Sequence, residues 1–172
     1  ISTPIQTRTR MITRTLFYER FLLFVSEKHE LFPEDSVAVE DIALNDLWFL
    51  KEGNCFRDQV DNICEIARDS SRQNLFYYES NSIESLCRIV EYKGGVTFLP
   101  ELTTLHLGTD REDMIKEIKG RPRVREISMV HLPNEVRAHV LDEIVAVIQR
   151  NIPVHMLELG EAEAIHTNID DR

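Results

Sequence analysis

The chain has 172 residues, 42% of them hydrophobic, which suits one ordinary domain or two small lobes with a proper core. Thirty acidic residues against 20 basic ones leave a formal charge of −10, which opposes any grip of this surface on a phosphate backbone; action on DNA needs another segment. No run approaches the roughly 18 apolar residues of a membrane span and no signal-peptide pattern opens the chain, so the expectation is a cytoplasmic protein without membrane partners.

Ile1 to Ile5 reads as the end of a strand entering a Thr- and Arg-rich connector that runs to Arg14. Leu16-Phe17-Tyr18 and Phe21 to Val25 are two runs of strand length, broken by the charged pair Glu19-Arg20. A charged loop from Ser26 to Ser36 leads to a short helix over Val37 to Leu44 and a strand candidate at Leu47 to Leu50. After Gly53, the helical spacing of Val60, Ile63, Cys64 and Ala67 predicts a helix from Arg57 to Ala67 with Cys64 on its inward face.

A second strand, Leu75 to Tyr78, passes through a polar turn into a helix over Ile83 to Tyr92, capped in the Ser82 region. Gly94-Gly95 ends that helix and Val96 to Pro100 restarts a strand. Asp110 to Ile118 suits a short helix, Arg125 to Leu132 a strand, and Asn134 to Arg150 an amphipathic helix; Glu158 to Arg172 reads as a peripheral or frayed tail. This alternation predicts an α/β architecture with a mostly parallel sheet.

Three cysteines in a chain of this length make no disulfide framework, and in a reducing compartment a cysteine pair is more often catalytic, sensory or metal-binding than structural. Cys55 precedes a helix start, whose N–H groups point toward it. Arg57 lies two residues on, and Asn54 and Gln59 add hydrogen-bonding capacity; such surroundings stabilise a thiolate. A sulfenic acid is normally resolved by a second thiol, and Cys64 is the nearest in sequence. The helix between Arg57 and Cys64 rises about 10 Å, whereas a disulfide wants Cα atoms within about 7 Å, so pairing, if it occurs, unwinds or displaces the helix.

The plainer alternative makes Cys64 a small core residue and Cys55 a loop thiol without a task. Cys87 reads as structural, Phe56 as packing, and Asp58 as a partner for a cation or for the helix dipole. No C-x-x-C occurs and the histidines are scattered, so neither a metal nor a cofactor is expected.

Leu50-Lys51-Glu52-Gly53-Asn54-Cys55-Phe56-Arg57-Asp58-Gln59, with Cys64 nine residues after Cys55, resembles the redox-switch segment of the OxyR family of peroxide-sensing LysR-type transcription regulators. Ser82 to Leu86 leading to Gly94 to Pro100 is similar to that family's helix-to-strand signature, and Ile127 to Ile148 to its closing unit. The resemblance implies a two-lobed, Rossmann-like (periplasmic-binding-protein-like) LysR effector domain of class α/β, its first lobe incomplete. Residues 1–18 and 125–152 would be the remnant of subdomain I, 19–124 subdomain II with the redox switch, and 153–172 a C-terminal tail. The chains crossing at Tyr18-Glu19 and Val124-Arg125 would form the hinge, and the winged helix-turn-helix is expected to be absent from this chain.

The same resemblance implies that Cys55 is the peroxide-reactive thiol and Cys64 the resolving one, with Arg57 and Asp58 as activating or site-ordering neighbours. Asn54 stands where some members carry histidine. The implied signal is hydrogen peroxide, and the implied partners are a second copy or three in a homodimer or homotetramer, DNA through an N-terminal domain, RNA polymerase, and a cellular thiol reductant for reset. Turnover as an enzyme is not expected. The competing readings are a small-metabolite-binding LysR-type effector domain with incidental cysteines and, ranked last for want of any enzyme motif, a thiol peroxidase or oxidoreductase.

Overall fold

The computed structural model describes residues 1–4, 11–50, 55–64 and 82–167. Its longest strand, β1 (Ile12–Val25), joins into one 14-residue element the two runs expected to be separate. The charged pair does not break it because each charge has a partner. Glu19, 3% exposed, faces Arg125 across the ladder with a 2.7 Å ion pair and accepts the Leu102 N–H at 3.2 Å. Arg20 donates through its backbone N–H, Nε and Nη2 to Glu101 at 2.8 to 3.1 Å and pairs with Glu117 at 3.0 Å.

β1 changes partners along its length. Its first part, Ile12 to Arg20, runs antiparallel to β5 (Arg123–His131); its second, Phe21 to Val25, runs antiparallel to β3 (Val96–Pro100), with Leu23 and Phe24 also facing β4 (Ile115–Ile118). β2 (Ser36–Val37) adds to β4 and β6 (Glu163–Ala164) to β5, both in parallel, giving the order β2-β4-β1-β5-β6. Among the described residues the long ladders are therefore antiparallel, not parallel as expected, because one long central strand serves as the partner of β3, β4 and β5 as each returns.

The Val37 to Leu44 segment is not an α-helix: Val37 belongs to β2, and single 3-10 turns follow at Val39–Asp41 and Leu44–Asp46. Leu47 to Leu50 makes only the Leu47–Val96 bridge, and Asp110 to Ile118 divides into a 3-10 segment (Thr109–Met114) and β4. The expected strand at Leu75 to Tyr78 lies outside the described residues. The α-helices are α1 (Cys55–Ile63), α2 (Ile83–Lys93), the short α3 (Glu101–Thr104) and α4 (Ala138–Asn151). Ser82 accepts the Ser85 N–H at 3.3 Å as the N-cap of α2.

Phe21, Leu23 and Val25 pack with Phe56, Val60, Ile63, Leu86 and Phe98, while Phe24 packs with Cys87, Val90, Leu99 and Met114. Leu16 and Phe17 meet Val145 of α4 and Met156 in a third cluster. The tail is not frayed through His166: β6 pairs with β5, and Ile165 packs on the first cluster. No helix among the described residues is long and apolar enough to cross a membrane.

Gly95 has φ +97°, and a Cβ there would meet Asp46 O at 2.4 Å and the Trp48 indole nitrogen at 2.7 Å. That close approach lets Trp48 donate its backbone N–H to Val96 O and its indole N–H to Gly94 O, both at 2.8 Å, fixing the chain that leads into α1. Gly95→Ala should cost about 2–4 kcal/mol in urea unfolding, whereas Gly94→Ala, where a Cβ would have open space, should cost about 1–2 kcal/mol for its positive φ alone.

Glu101 supplies a pH-dependent share of stability. Burial pushes its carboxyl up, but hydrogen bonds from Arg20 and His155 outweigh that and hold it below the ordinary 4.5. A depressed folded-state pKa gives stability that is full above pH 4.5 and lost as the pH falls through the folded value. Arg20 and His155 are substantially exposed, so screening trims the effect to about 1–2 kcal/mol. Glu101→Gln should lose about that much at neutral pH and show a shallower loss of stability on acidification, read by urea unfolding across a pH series.

Candidate functional site

α1 is nine residues long and carries a half-buried thiol at its first residue, Cys55; Cys64, also half-buried, follows its last. The Cys64 N–H still bonds Val60 O at 2.9 Å, so helical hydrogen bonding continues to the second cysteine. None of the three cysteines is in a disulfide. Nine residues of helical rise put Cys55 and Cys64 about 13 Å apart along the axis, beyond the roughly 7 Å limit for a bridge. These thiols cannot pair while α1 is intact.

The inward face of α1 is Phe56, Gln59, Val60 and Ile63. Phe56 stacks on Phe21 of β1 with ring centroids 5.4 Å apart, and the Arg125 guanidinium lies over the same ring at 5.4 Å. Arg125 is in turn ion-paired to Glu19, whose carboxyl burial pushes above its ordinary range against the pull of Arg125. The helix thus touches β1 and β5 beside the point where β1 changes partners.

Arg57 is 3% exposed, with its guanidinium 3.6 Å from the Phe49 ring centre and Nε 2.8 Å from Asp61 Oδ2. Asp58 is in the first helical turn, where its charge favours the dipole. Asn54 lies outside the described residues. Gln59, 1% exposed, donates Nε2 to Ile165 O at 2.7 Å, and Asn62 donates Nδ2 to His166 O at 2.9 Å.

A crevice of about 10 Å³ lined by Phe49, Leu50, Phe56, Arg57, Leu86 and Phe98 offers room for about one water, not a metabolite. No group of three or more His, Cys, Asp or Glu among the described residues is placed to hold a metal ion. Cys87 is fully buried in α2, and burial followed by the nearby Glu84 charge pushes its thiol up to about 12, which leaves it inert.

The helix expected from Arg57 to Ala67, with Cys55 ahead of it and Cys64 within, instead begins at Cys55 and ends at Ile63, so Cys55 is its first residue and Cys64 follows its last; residues 65–67 lie outside the described residues. Glu19 and Arg125 are expected only as hinge positions; their ion pair and the Gln59–Ile165 contact emerge from the fold. A glutamine inside the apolar stripe of α1, and a charged pair inside a strand-length apolar run, were the available signals for buried polar partners.

The chain is similar to the hydrogen peroxide-inducible genes activator of Haemophilus influenzae, 27% identical over 77% of this chain and 46% of the relative. It is also similar to the DNA-binding transcriptional dual regulator OxyR of Escherichia coli K12, 28% identical over 81% of this chain and 45% of the relative. It therefore spans less than half the length of these curated relatives. The crystal structure of OxyR from Porphyromonas gingivalis superposes with a TM-score of 0.81 at 27% identity, covering 96% of this chain and 74% of that one. The model of the LysR substrate binding domain matches residues 1–153, and the chain belongs to that family, with its α/β, periplasmic-binding-protein-like fold.

Proposed function

We propose that this chain is the redox-sensing part of a peroxide-responsive LysR-type transcription activator, with Cys55 as the sensing thiol and Cys64 as its resolving partner. The observation that carries the reading is the placement of two half-buried thiols at the two ends of one short helix, in a chain whose relatives are named hydrogen peroxide-inducible activators.

The Cys55 thiolate attacks peroxide: an S–O bond forms, the O–O bond breaks, and hydroxide leaves to be protonated to water. The Cys64 sulfur then attacks the sulfenic acid; an S–S bond forms, the S–O bond breaks, and a second water leaves. Two thiols lose two electrons in total and one peroxide gains them. A cellular thiol returns two electrons and two protons to reset the pair, so the chemistry is one stoichiometric event per chain rather than enzymatic turnover.

Cys55 stands at the N-terminus of α1, where the first-turn N–H groups point out of the helix and face incoming anionic oxygen. Arg57 and Asp58 order the first turn, and Asn54 is assigned to the same set of neighbours by resemblance alone. Because the bridge is incompatible with an intact α1, oxidation rebuilds that segment and shifts Phe56 against β1 and β5. In this reading residues 1–18 and 125–152 belong to subdomain I and 19–124 to subdomain II, the hinge being the chains that cross at Tyr18-Glu19 and Val124-Arg125, with the Glu19–Arg125 ion pair between them. The moving lobe alters a homodimer or homotetramer and so the spacing of DNA-binding heads supplied by an N-terminal domain, with consequences for RNA polymerase at the promoter in the cytoplasm.

The match to a substrate binding domain favours one other reading, an effector domain for a small metabolite with incidental cysteines. A Cys55→Ser variant of the intact regulator that still responds to its inducer, with a ligand bound, would support it. Peptide mapping without reductant decides for the redox reading. Stoichiometric peroxide should give a Cys55–Cys64 bridge and leave Cys87 as a thiol slow to alkylate, while Cys64→Ser should stop at an oxidised Cys55 trapped by a sulfenic-acid reagent. Oxidised Cys55 without a bridge in the wild-type chain overturns the mechanism.

A further inference from the structure

The C-terminal end of the chain holds α1 from outside. Gln59 and Asn62, three residues apart and so on one helical face, donate to the consecutive carbonyls of Ile165 and His166 at 2.7 and 2.9 Å. The segment reaches them as an added strand: Glu163 N–H bonds Pro122 O and Ile165 N–H bonds Val124 O, each at 2.8 Å. Arg121 fastens the approach, donating Nε to Glu161 O at 2.6 Å and Nη2 to Ala162 O at 3.3 Å. The Ile165 side chain packs on the core that contains Phe56, Val60 and Ile63. The docking segment itself, Glu161 to His166, lies beyond residues 1–153, the part matched by the family model.

We propose that residues 163–167 are a strap whose docking and the helical fold of α1 form one cooperative unit. Gln59 and Asn62 sit between the two cysteines, and their side chains present one face to the strap only while the backbone between them is helical. Bringing Cys64 within about 7 Å of Cys55 unravels that stretch and removes both donors from the strap carbonyls. Coupling is reciprocal: the docked strap opposes bridging by the same factor by which bridging weakens the strap. Release of β6 opens the edge of β5 at Arg123 and Val124, next to the Arg125 that lies over Phe56. The trigger rests on the redox reading above, and its electrons and protons are those already balanced there; the coupling of strap to helix rests on the contacts alone.

Hydrogen–deuterium exchange of the reduced chain tests the coupling. The comparison is between the wild-type chain, a chain ending at Ala162, and the full-length Asn62→Ala/Ile165→Ala variant, which guards against misfolding of the truncated one. Both variants should expose the strap or lack it, and should raise exchange in the 55–64 peptide about tenfold while leaving β3 and α2 unchanged. In a glutathione titration, both should also shift the Cys55–Cys64 equilibrium toward the bridge about tenfold, or about 30 mV. Unchanged exchange of α1 in a variant whose strap has been freed overturns the proposal, as does a strap that stays protected in the double variant. If α1 responds to strap loss but neither peroxide nor oxidised glutathione bridges the cysteines in any chain, the strap stands and the peroxide-sensing reading falls.

Discussion

A helix of nine residues is too short to persist in water by its own hydrogen bonds; isolated helices below about 12–15 residues are marginal even with favourable sequences. α1 therefore exists because of what it packs on. Phe56 lies against Phe21, Arg57 covers Phe49, and Gln59 reaches Ile165, so its supports come from three separate parts of the chain. The energy that keeps the helix wound is tertiary and divided among distant partners. Such an element can lose its fold locally while β1, β3 and β5 keep theirs, and that separation is what a local switch needs.

The same dependence on distant partners explains which parts of the fold were legible in the sequence. α2 carries its own boundaries, Ser82 at one end and Gly94-Gly95 with positive φ at the other, and was readable to within a residue or two. Strand direction has no local signature: the alternation of strand and helix suggested parallel neighbours, whereas β1 folds back on partners about 75 and 110 residues away in antiparallel register. Glu19-Arg20 looked like a break because Glu101, Glu117 and Arg125, which neutralise the pair, are remote in sequence. The 3-10 turns after β2 also bury few side chains, leaving no period to read.

At the site, the two thiols and the helix between them follow from spacing, since Val60 and Ile63 mark one face and Cys64 continues it. The position of Arg57 does not. From sequence it is a cation near Cys55; in the fold its guanidinium lies flat on Phe49 beside Asp61, where it packs as much as it charges. Gln59 shows the converse case. Its place in the apolar stripe marks it as buried, but only the fold reveals that its partner is a carbonyl from the last described segment of the chain.

Phe56 gives the proposed switch a physical outlet. One ring is shared by Phe21 of β1 and Arg125 of β5, and Arg125 neutralises a glutamate whose burial already makes its charge costly. An aromatic ring under a partly desolvated guanidinium contributes about 0.5–2 kcal/mol. Withdrawing it loosens Arg125 without offering Glu19 a substitute from its neighbour Arg20, which is engaged with Glu101 and Glu117. Arg125 and Glu19 then have to move together to stay paired, and since they face each other in register, their movement is movement of β1 against β5. Unwinding α1 would therefore act on the relative setting of the two strands through three side chains and one buried charge that cannot be left alone.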